Sequence, residues 1–144
     1  MAGARVLTGF VRATGKDHEN FGSDEFLRPT DRAVNEVLRI GDHERALRVA
    51  PFRWGGECRL EVHLNAIAND RGVIQVFGFT SFFEGDSEDT PHERDREIVN
   101  VLVPKFHHQH LKHPVVTSTH LQSGADSGDI TISLQNFPSE EEDE

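Results

Sequence analysis

The sequence predicts an all-β protein, an antiparallel β-sandwich of about eight strands with a jelly-roll-like arrangement. First, residues 58–83 form a long hairpin pattern in which apolar and polar residues alternate, because successive strand side chains face opposite sides. Second, further short alternating segments recur along the chain with turn residues between them. Third, no segment shows strong helical periodicity, and parallel sheets need helices to cover them. A closed barrel is the alternative architecture.

The central hairpin carries the clearest strand pattern. Its first strand alternates between a polar face and an apolar face, and the apolar face consists of Leu60, Val62, Leu64 and Ala66. The sequence Asn-Asp-Arg-Gly at 69–72 supplies turn chemistry. The returning strand has bulky residues on both faces, with Phe77 and Phe79 opposite Ile74 and Val76. We therefore expect it to lie centrally in its sheet.

Several elements precede this hairpin. We expect a strand over 5–13, a polar loop over 15–22, an extended segment at 26–29 and a short strand over 46–52. Residues 31–40 fit two patterns. Asp31 could cap a helix whose inner face is Val34, Val37 and Leu38, whereas a strand would place Val34, Leu38 and Ile40 on one face. We favour the strand because the flanking segments are strand-like.

Shorter strands follow the hairpin. A polar loop covers 84–97, a strand covers 98–103, and an irregular or edge segment rich in histidine covers 104–114. Two more strands are expected at 115–121 and 130–135. Pro138 ends the last strand, so we predict one domain over 1–138 and a disordered acidic tail over 139–144.

Charge and composition restrict the partners. The net charge of -10 and the lack of a basic patch argue against nucleic-acid binding. No apolar run approaches the roughly 20 residues of a membrane span, and the N-terminus lacks the apolar region of a signal peptide. The chain has one cysteine, Cys58, which excludes an internal disulfide. We therefore expect a soluble cytoplasmic protein.

Two acidic loops suggest calcium. The loop after the hairpin is rich in carboxylates, and a second acidic turn lies between the last two strands. Calcium takes six to eight oxygen ligands, which loops at the rim of a sandwich can supply if both fall at the same end. The candidate ligands are Asp86, Glu88, Asp89, Asp126 and Asp129. The alternative is a solvated loop that protects a sheet edge.

A histidine-rich segment suggests a transition metal. If residues 107–113 are extended, His108 and His110 face the same side, and His120 could be a third ligand. Neutral imidazole suits zinc, nickel or copper, so zinc or nickel is the second cofactor hypothesis. Trp54, beside Gly55 and Gly56, is a candidate stacking platform for a ligand, and a core tryptophan is the alternative.

The patterns lead to two hypotheses about function. The first is a non-enzymatic binding or assembly module that uses rim loops, assisted by calcium, with a homodimer face on the strand that ends at Phe83. The second is a small metal-dependent enzyme that uses histidines of segment 107–113 with His63 or His120. The absence of a phosphate loop, a nucleophile elbow and a Cys-x-x-Cys motif favours the first.

Overall fold

The computed structural model describes residues 3–106 and 113–139 of the chain. Within them lie nine strands: β1 (Ala4–Asp17), β2 (Glu25–Arg39), β3 (Arg45–Leu47), β4 (Phe52–Trp54), β5 (Cys58–Ala68), β6 (Ile74–Glu84), β7 (Glu93–Val103), β8 (Val115–Ser123) and β9 (Asp126–Pro138). A membrane-spanning helix is absent from these residues.

The strands form two antiparallel sheets that pack face to face. The first sheet has the order β2-β1-β9-β8, and the second has the order β3-β5-β6-β7, with β4 pairing beside β3 on the same edge of β5. Strand β1 pairs along its length with β9, so the first and last of the described strands lie side by side. This architecture confirms the predicted all-β sandwich, and the described sheets do not close into a barrel.

The core lies between the two sheets. The predicted apolar face of β5 is buried, as are the inward residues of β1 and β9 that oppose it: Leu7, Val11, Ile130, Ile132 and Leu134. Each such side chain stabilises the fold by about 1.5–3 kcal/mol relative to an exposed position. The period-two alternation of the sequence is therefore the main determinant of the fold.

The ambiguous segment 31–40 is part of a strand. Val34 and Leu38 are buried, whereas Val37 faces outward and is 44% exposed. This segment and the extended residues 26–29 form the single long strand β2, which pairs only with β1. Because β2 is an edge strand, it tolerates Pro29, which has no N–H to donate to a neighbour.

The segment 46–52 differs from the single strand that we expected. Two three-residue strands, β3 and β4, overlap its two ends and are separated by residues 48–51. Pro51 lies in this gap, where it has no N–H to contribute to a ladder. Arg32 on β2 donates from its guanidinium to the carbonyl oxygens of Ala50 and Pro51 at 3.4 and 3.2 Å, which holds the gap against the opposite sheet.

Side chains also link the sheets at the other lateral edge. Glu97 and Asp95 on β7 accept hydrogen bonds from the backbone N–H groups of His120 and Gln122 on β8, at 2.9 and 3.0 Å. These carboxylates occupy donors that would otherwise be open to another strand. This arrangement is one way in which native sheets protect an edge from aggregation.

Candidate metal centre

Five carboxylates converge at one end of the sandwich, where β1 and β6 end and β9 begins. They line a cavity of about 590 Å³, the acidic pocket, and belong to Asp17, Glu19, Glu57, Glu84 and Asp126. Antiparallel pairing brings them together, because the end of one strand lies beside the start of the next. Lysine and arginine are absent from the described residues that line this cavity.

Asp17, the last residue of β1, is the most buried of the five. Asp17 is only 1% exposed, and its Oδ2 atom has no hydrogen-bond partner among the described residues. The pKa of Asp17 is raised to about 7, mainly by burial and in addition by the negative charges of Glu57, Glu19 and Asp126. An unpaired buried carboxylate is costly, so this site requires either a proton or a cation.

Gly55 provides the space for the Asp17 carboxylate. Its backbone has a φ of 67°, and a Cβ atom placed there would lie 2.4 Å from Asp17 Oδ2. Glycine alone satisfies both the left-handed conformation and the close approach. The turn between β4 and β5 is therefore shaped around this carboxylate.

Glu19 and Glu57 complete the first group of ligands. One carboxylate oxygen from each lies within 4.8 Å of one from Asp17 and of the other. Calcium–oxygen distances of about 2.3–2.6 Å allow two ligand oxygens on one ion to stand up to roughly 5 Å apart. These three carboxylates can therefore reach a single ion.

Glu84 and Asp126 form a second group in the same pocket. The pKa of Glu84 is raised to about 7, mainly by burial and in addition by the neighbouring carboxyl group of Asp126. Glu84 Oε2 is buried without a hydrogen-bond partner among the described residues. Asp126 Oδ1 accepts a hydrogen bond of 2.7 Å from the backbone N–H of His18.

The loop that carries Glu19 is held by Asp24. The Asp24 carboxylate accepts a hydrogen bond from the backbone N–H of Glu19 at 3.0 Å and contacts His18 Nδ1 at 2.9 Å. The hydrogen bond from Glu19 is the main reason that the pKa of Asp24 is lowered. Asp24 therefore stays ionised and orders the loop, while Glu19 remains directed to the pocket.

The acidic pocket accounts for half of the net charge of the protein. The chain has 25 acidic and 15 basic residues, an excess of ten. Five of the excess charges are residues 140–144 of the tail, and the other five equal the carboxylates of the pocket. Acidic and basic residues are equal in number in the rest of the chain, so the pocket and the tail together match the net charge.

The predicted calcium ligands divide between this pocket and other contacts. Asp126 lies in the pocket, and the two acidic loops do meet at one end, through Glu84 and Asp126. In the loop after β6, Asp89 instead contacts Arg53 at 2.5 Å, and Glu88 accepts a hydrogen bond from the Gly56 N–H at 2.9 Å. Asp86 is exposed.

The remaining predicted calcium ligand, Asp129, and the two described candidate histidines, His63 and His120, lie on the outer faces of the sheets. The Asp129 carboxylate accepts a hydrogen bond from His120 Nδ1 at 2.6 Å, and this contact is the main cause of the raised pKa of His120. His120 projects from the first sheet, whereas His63 projects from the second and contacts Glu61 at 2.7 Å. His108 and His110 lie outside the described residues.

Trp54 lies in the core next to the pocket. It is 5% exposed, and its ring stacks on Phe82 with centroids 6.0 Å apart. The ring also covers Gly15, where a Cβ atom would lie 2.4 Å from Trp54 Cζ2. Whether Trp54 contacts a ligand stays a prediction. Because Trp54 ends β4 and is followed directly by Gly55, its ring offers a fluorescence reporter beside the pocket.

Four of the pocket residues were not among the sequence-based candidates. Asp17 and Glu19 fall in a segment that reads as a polar loop, Glu57 precedes a strand, and Glu84 opens the acidic loop. Their common signal is an acidic residue at a strand end, and only the strand order shows that these ends coincide.

No protein family, curated protein or solved structure matches this chain.

Proposed function

We propose that this protein is a non-enzymatic β-sandwich binding module that binds calcium in the acidic pocket and uses the surrounding rim loops as its contact surface. The observation that carries the proposal is the buried, unpaired carboxylate of Asp17 among four further carboxylates. A divalent cation would compensate this charge and order the loops around it. The loops at this end are residues 18–24, 55–57, 85–92 and 124–125.

The ligand chemistry favours calcium over other metals. Carboxylate oxygens are hard ligands that suit calcium or magnesium, whereas zinc and nickel prefer imidazole or thiolate. Cys58 lies near the pocket, but burial raises the pKa of its thiol, so it does not supply a thiolate. Calcium accepts irregular coordination, whereas magnesium demands a near-ideal octahedron. Loops from separate strands fit the irregular geometry better.

Thermal unfolding of metal-stripped protein tests this proposal. We expect calcium to raise the midpoint, because a ligand of the folded state stabilises by about 2.7 kcal/mol at a hundredfold excess over its Kd. Asp17→Asn should abolish the shift. Asp70→Asn is the matched control, since Asp70 is exposed in the β5–β6 turn at the opposite end.

The outcomes separate the hypotheses. No shift of the wild-type midpoint with calcium would refute the proposal. A shift with zinc or nickel but not with calcium would favour the histidine hypothesis. An equal calcium shift in wild type and Asp17→Asn would place the ion elsewhere.

A homodimer is a second candidate, favoured by the outer face of the second sheet. Ile98 and Leu102 on β7 are 75% and 62% exposed, beside the half-buried Phe77 and Phe79 on β6. The three strands β5–β7 measure roughly 35 Å by 15 Å. This is about 500 Å², below the ~800 Å² per partner of a standard interface, so we expect a weak dimer.

Sedimentation velocity at increasing protein concentration tests the dimer. Ile98→Glu should give a monomer at concentrations where the wild type dimerises, because like charges would meet across the interface. Val116→Glu, at a 57% exposed position on the other sheet, is the control. A wild type that stays monomeric throughout would exclude this candidate.

We also propose a cytoplasmic location. Cys58 is a buried free thiol. Thiols remain reduced in the cytoplasm, and disulfides are typical of secreted domains of small size. The free thiol supports the proposal.

A further inference from the structure

We infer that the acidic pocket, once it holds calcium, binds a small zwitterionic ligand in which a phosphate group lies beside an ammonium group, as in phosphocholine. This inference rests on the proposed function, since it requires that the pocket binds calcium. Asp17, Glu19 and Glu57 would hold the ion that receives the phosphate. The other carboxylates of the pocket and the exposed ring of Phe21 would receive the ammonium group.

The calcium site leaves coordination positions for a ligand. Asp17, Glu19 and Glu57 are the only described residues whose ligand atoms come close enough to share an ion, with one oxygen from each within 4.8 Å of the others. Calcium is a hard cation that takes six to eight oxygen ligands. Several positions therefore remain, and water fills them until an oxygen-bearing ligand replaces it. A phosphate group supplies such oxygens together with negative charge.

The burial of Asp17 distinguishes this cluster from a solvated acidic surface. The residue is 1% exposed, and its Oδ2 atom has no hydrogen-bond partner among the described residues, although Gly55 leaves space beside it. Burial of a carboxylate without a partner costs free energy, which a surface group in water does not lose. The fold is therefore arranged to hold a cation at this point.

The other two carboxylates of the pocket suit a larger cation than a metal ion. Glu84 and Asp126 line the same cavity, but their oxygens are not in the group that can share an ion. One calcium ion offsets two of the five negative charges, and the described lining residues supply no lysine or arginine. An ammonium group attracts carboxylates through its charge and does not need several oxygens at one point.

The remaining negative charge also selects among phosphates. A phosphate without a positive group would add charge to a cavity that is still negative after calcium binds, and like charges at short range repel. A ligand with its own ammonium group places the phosphate at the ion and the positive charge near the carboxylates. The cavity of about 590 Å³ lies within the range of about 300–1,000 Å³ that is typical of small-molecule sites.

Phe21 adds an aromatic ring at the mouth of the cavity. It lines the pocket and is 96% exposed, more than any other large hydrophobic residue in the described part of the chain. It follows Glu19 by two residues, in the loop that Asp24 orders. The face of an aromatic ring attracts ammonium groups, and quaternary ammonium groups are recognised in this way. Phe21 is therefore placed to contact the positive end of the ligand.

Isothermal calorimetry of the full chain in saturating calcium, with phosphocholine as the titrant, tests the inference. We expect binding that weakens by about tenfold or more when a chelator removes the calcium, because contacts to charged groups are lost. Glycerol phosphate lacks the ammonium group and choline lacks the phosphate. Each should bind about tenfold or more weakly than phosphocholine.

Two phenylalanine variants test the aromatic contact. Phe21→Ser should weaken phosphocholine binding by about three- to tenfold and leave the calcium Kd unchanged, because it removes a ring and no calcium ligand. Phe26→Ser is the matched control, since Phe26 is 62% exposed but is not among the residues that line the pocket. It should retain both affinities, and a circular dichroism melt of each variant checks the fold.

The outcomes separate this inference from the proposed function. Calcium binding without phosphocholine binding would overturn the inference and leave the proposed function standing, whereas no calcium binding would overturn both. Equal affinity for phosphocholine and glycerol phosphate would overturn the ammonium site. An equal loss in Phe21→Ser and Phe26→Ser would overturn the role of Phe21.

Sedimentation with phosphatidylcholine vesicles in calcium distinguishes the sources of the ligand. Binding of both vesicles and free phosphocholine would support a lipid headgroup, and binding of free phosphocholine alone would support a soluble ligand. Binding of vesicles without free phosphocholine would overturn the inference, because the pocket would then not recognise the headgroup by itself.

Discussion

At the scale of single residues, the balance between burial and ionisation at Asp17 and Glu84 decides the behaviour of the pocket. Both carboxyl groups lose solvation in the folded protein, and each has a pKa raised to about 7. The negative charges of the neighbouring carboxylates also contribute to raising these pKa values. The folded protein without a cation therefore binds protons that the unfolded chain releases at neutral pH.

The raised pKa values predict that the metal-free protein becomes less stable as the pH rises. A carboxyl group with a raised folded pKa favours folding when protonated, so its contribution is fully present below about pH 4. It is lost as the pH rises to about 7. We expect the free energy of unfolding of metal-free protein to fall over this range, by at most about 1.4 kcal/mol per pH unit for each group.

Urea unfolding from pH 5 to pH 8 measures this slope. Asp17→Asn should flatten it and should stabilise the metal-free protein at pH 8, because an amide carries no charge to bury. Calcium should remove most of the pH dependence from the wild type. A slope that is identical in wild type and Asp17→Asn would contradict the assignment.

A second prediction concerns the glycine that accommodates Asp17. We expect Gly55→Ala to destabilise the fold and to weaken calcium binding, because the new methyl group would collide with Asp17 Oδ2. Gly56→Ala is the matched control, since Gly56 also has a positive φ, 72°, but open space around it. The control should lose only about 1–2 kcal/mol from backbone strain and keep its calcium affinity.

Calorimetry and thermal melts of both variants distinguish the collision with Asp17 from backbone strain. If Gly55→Ala and Gly56→Ala lose the same stability and the same calcium affinity, then close contact with Asp17 is not what requires Gly55.

At the scale of secondary-structure elements, charged side chains extend and protect the strands. The sequence predicts β7 only from Ile98, whereas the strand begins at Glu93. The missed residues 93–97 are all charged, and alternation of apolar residues cannot identify them. They form a strand because their backbone pairs with residues 80–83 of β6. Arg96 also pairs with Glu93 at 2.8 Å, while Asp95 and Glu97 bond to β8.

The link between β7 and β8 can be tested directly. We expect Glu97→Ala to cost about 0.5–1.5 kcal/mol, the net value of a typical hydrogen bond, and to speed hydrogen exchange at the His120 amide. Asn100→Ala is a control on the same strand but on its outer face. Unchanged exchange at His120 would show that this carboxylate does not protect the edge.

At the scale of the whole molecule, Ser139, the last described residue, and the acidic pocket lie at opposite ends. Ser139 donates its N–H to the carbonyl oxygen of Ala4 at 3.3 Å, at the start of β1, whereas Asp17 ends that strand. Fourteen residues of strand separate them. At about 3.3 Å per residue the distance is roughly 40 Å, several times the ~8 Å over which physiological salt screens charge.

Removal of residues 140–144 should therefore leave both the fold and the pocket intact. We expect the midpoint of thermal unfolding to stay the same and the calcium Kd to change by less than about twofold at 0.15 M salt. Calorimetry of the truncated and full chains makes the comparison. A large loss of calcium affinity would show that the tail reaches the pocket.

A buried polar group closes the end of the sandwich opposite the pocket. Asn136 is 1% exposed, and its Nδ2 donates to the carbonyl oxygens of Gly72 and Val103 at 2.8 and 2.9 Å. Arg5 donates from Nε to Asn136 Oδ1 at 2.8 Å. One end of the molecule therefore has satisfied buried polar groups, while the other has unpaired carboxylates, which is the physical contrast that identifies the pocket as the candidate site.

The sequence by itself determined which residues enter the core and which face water. Alternation of Leu60, Val62 and Leu64 with polar neighbours specifies a half-buried strand, because side-chain direction in a strand depends only on local geometry. The same reasoning identified β2 and placed Asp126 in a turn at a sheet rim. It could not show which strands pair with each other, since alternation fixes the face of a strand and not its neighbour.

Only the tertiary structure shows which residues come together in the acidic pocket. Asp17 and Asp126 are separated by more than a hundred residues, and they meet because β1 pairs with β9. The raised pKa values of Asp17 and Glu84 arise from burial and from charges contributed by other elements of the fold, which no local pattern contains. Long-range strand pairing converts scattered acidic strand ends into one pocket, because antiparallel sheets bring alternate strand ends to the same side.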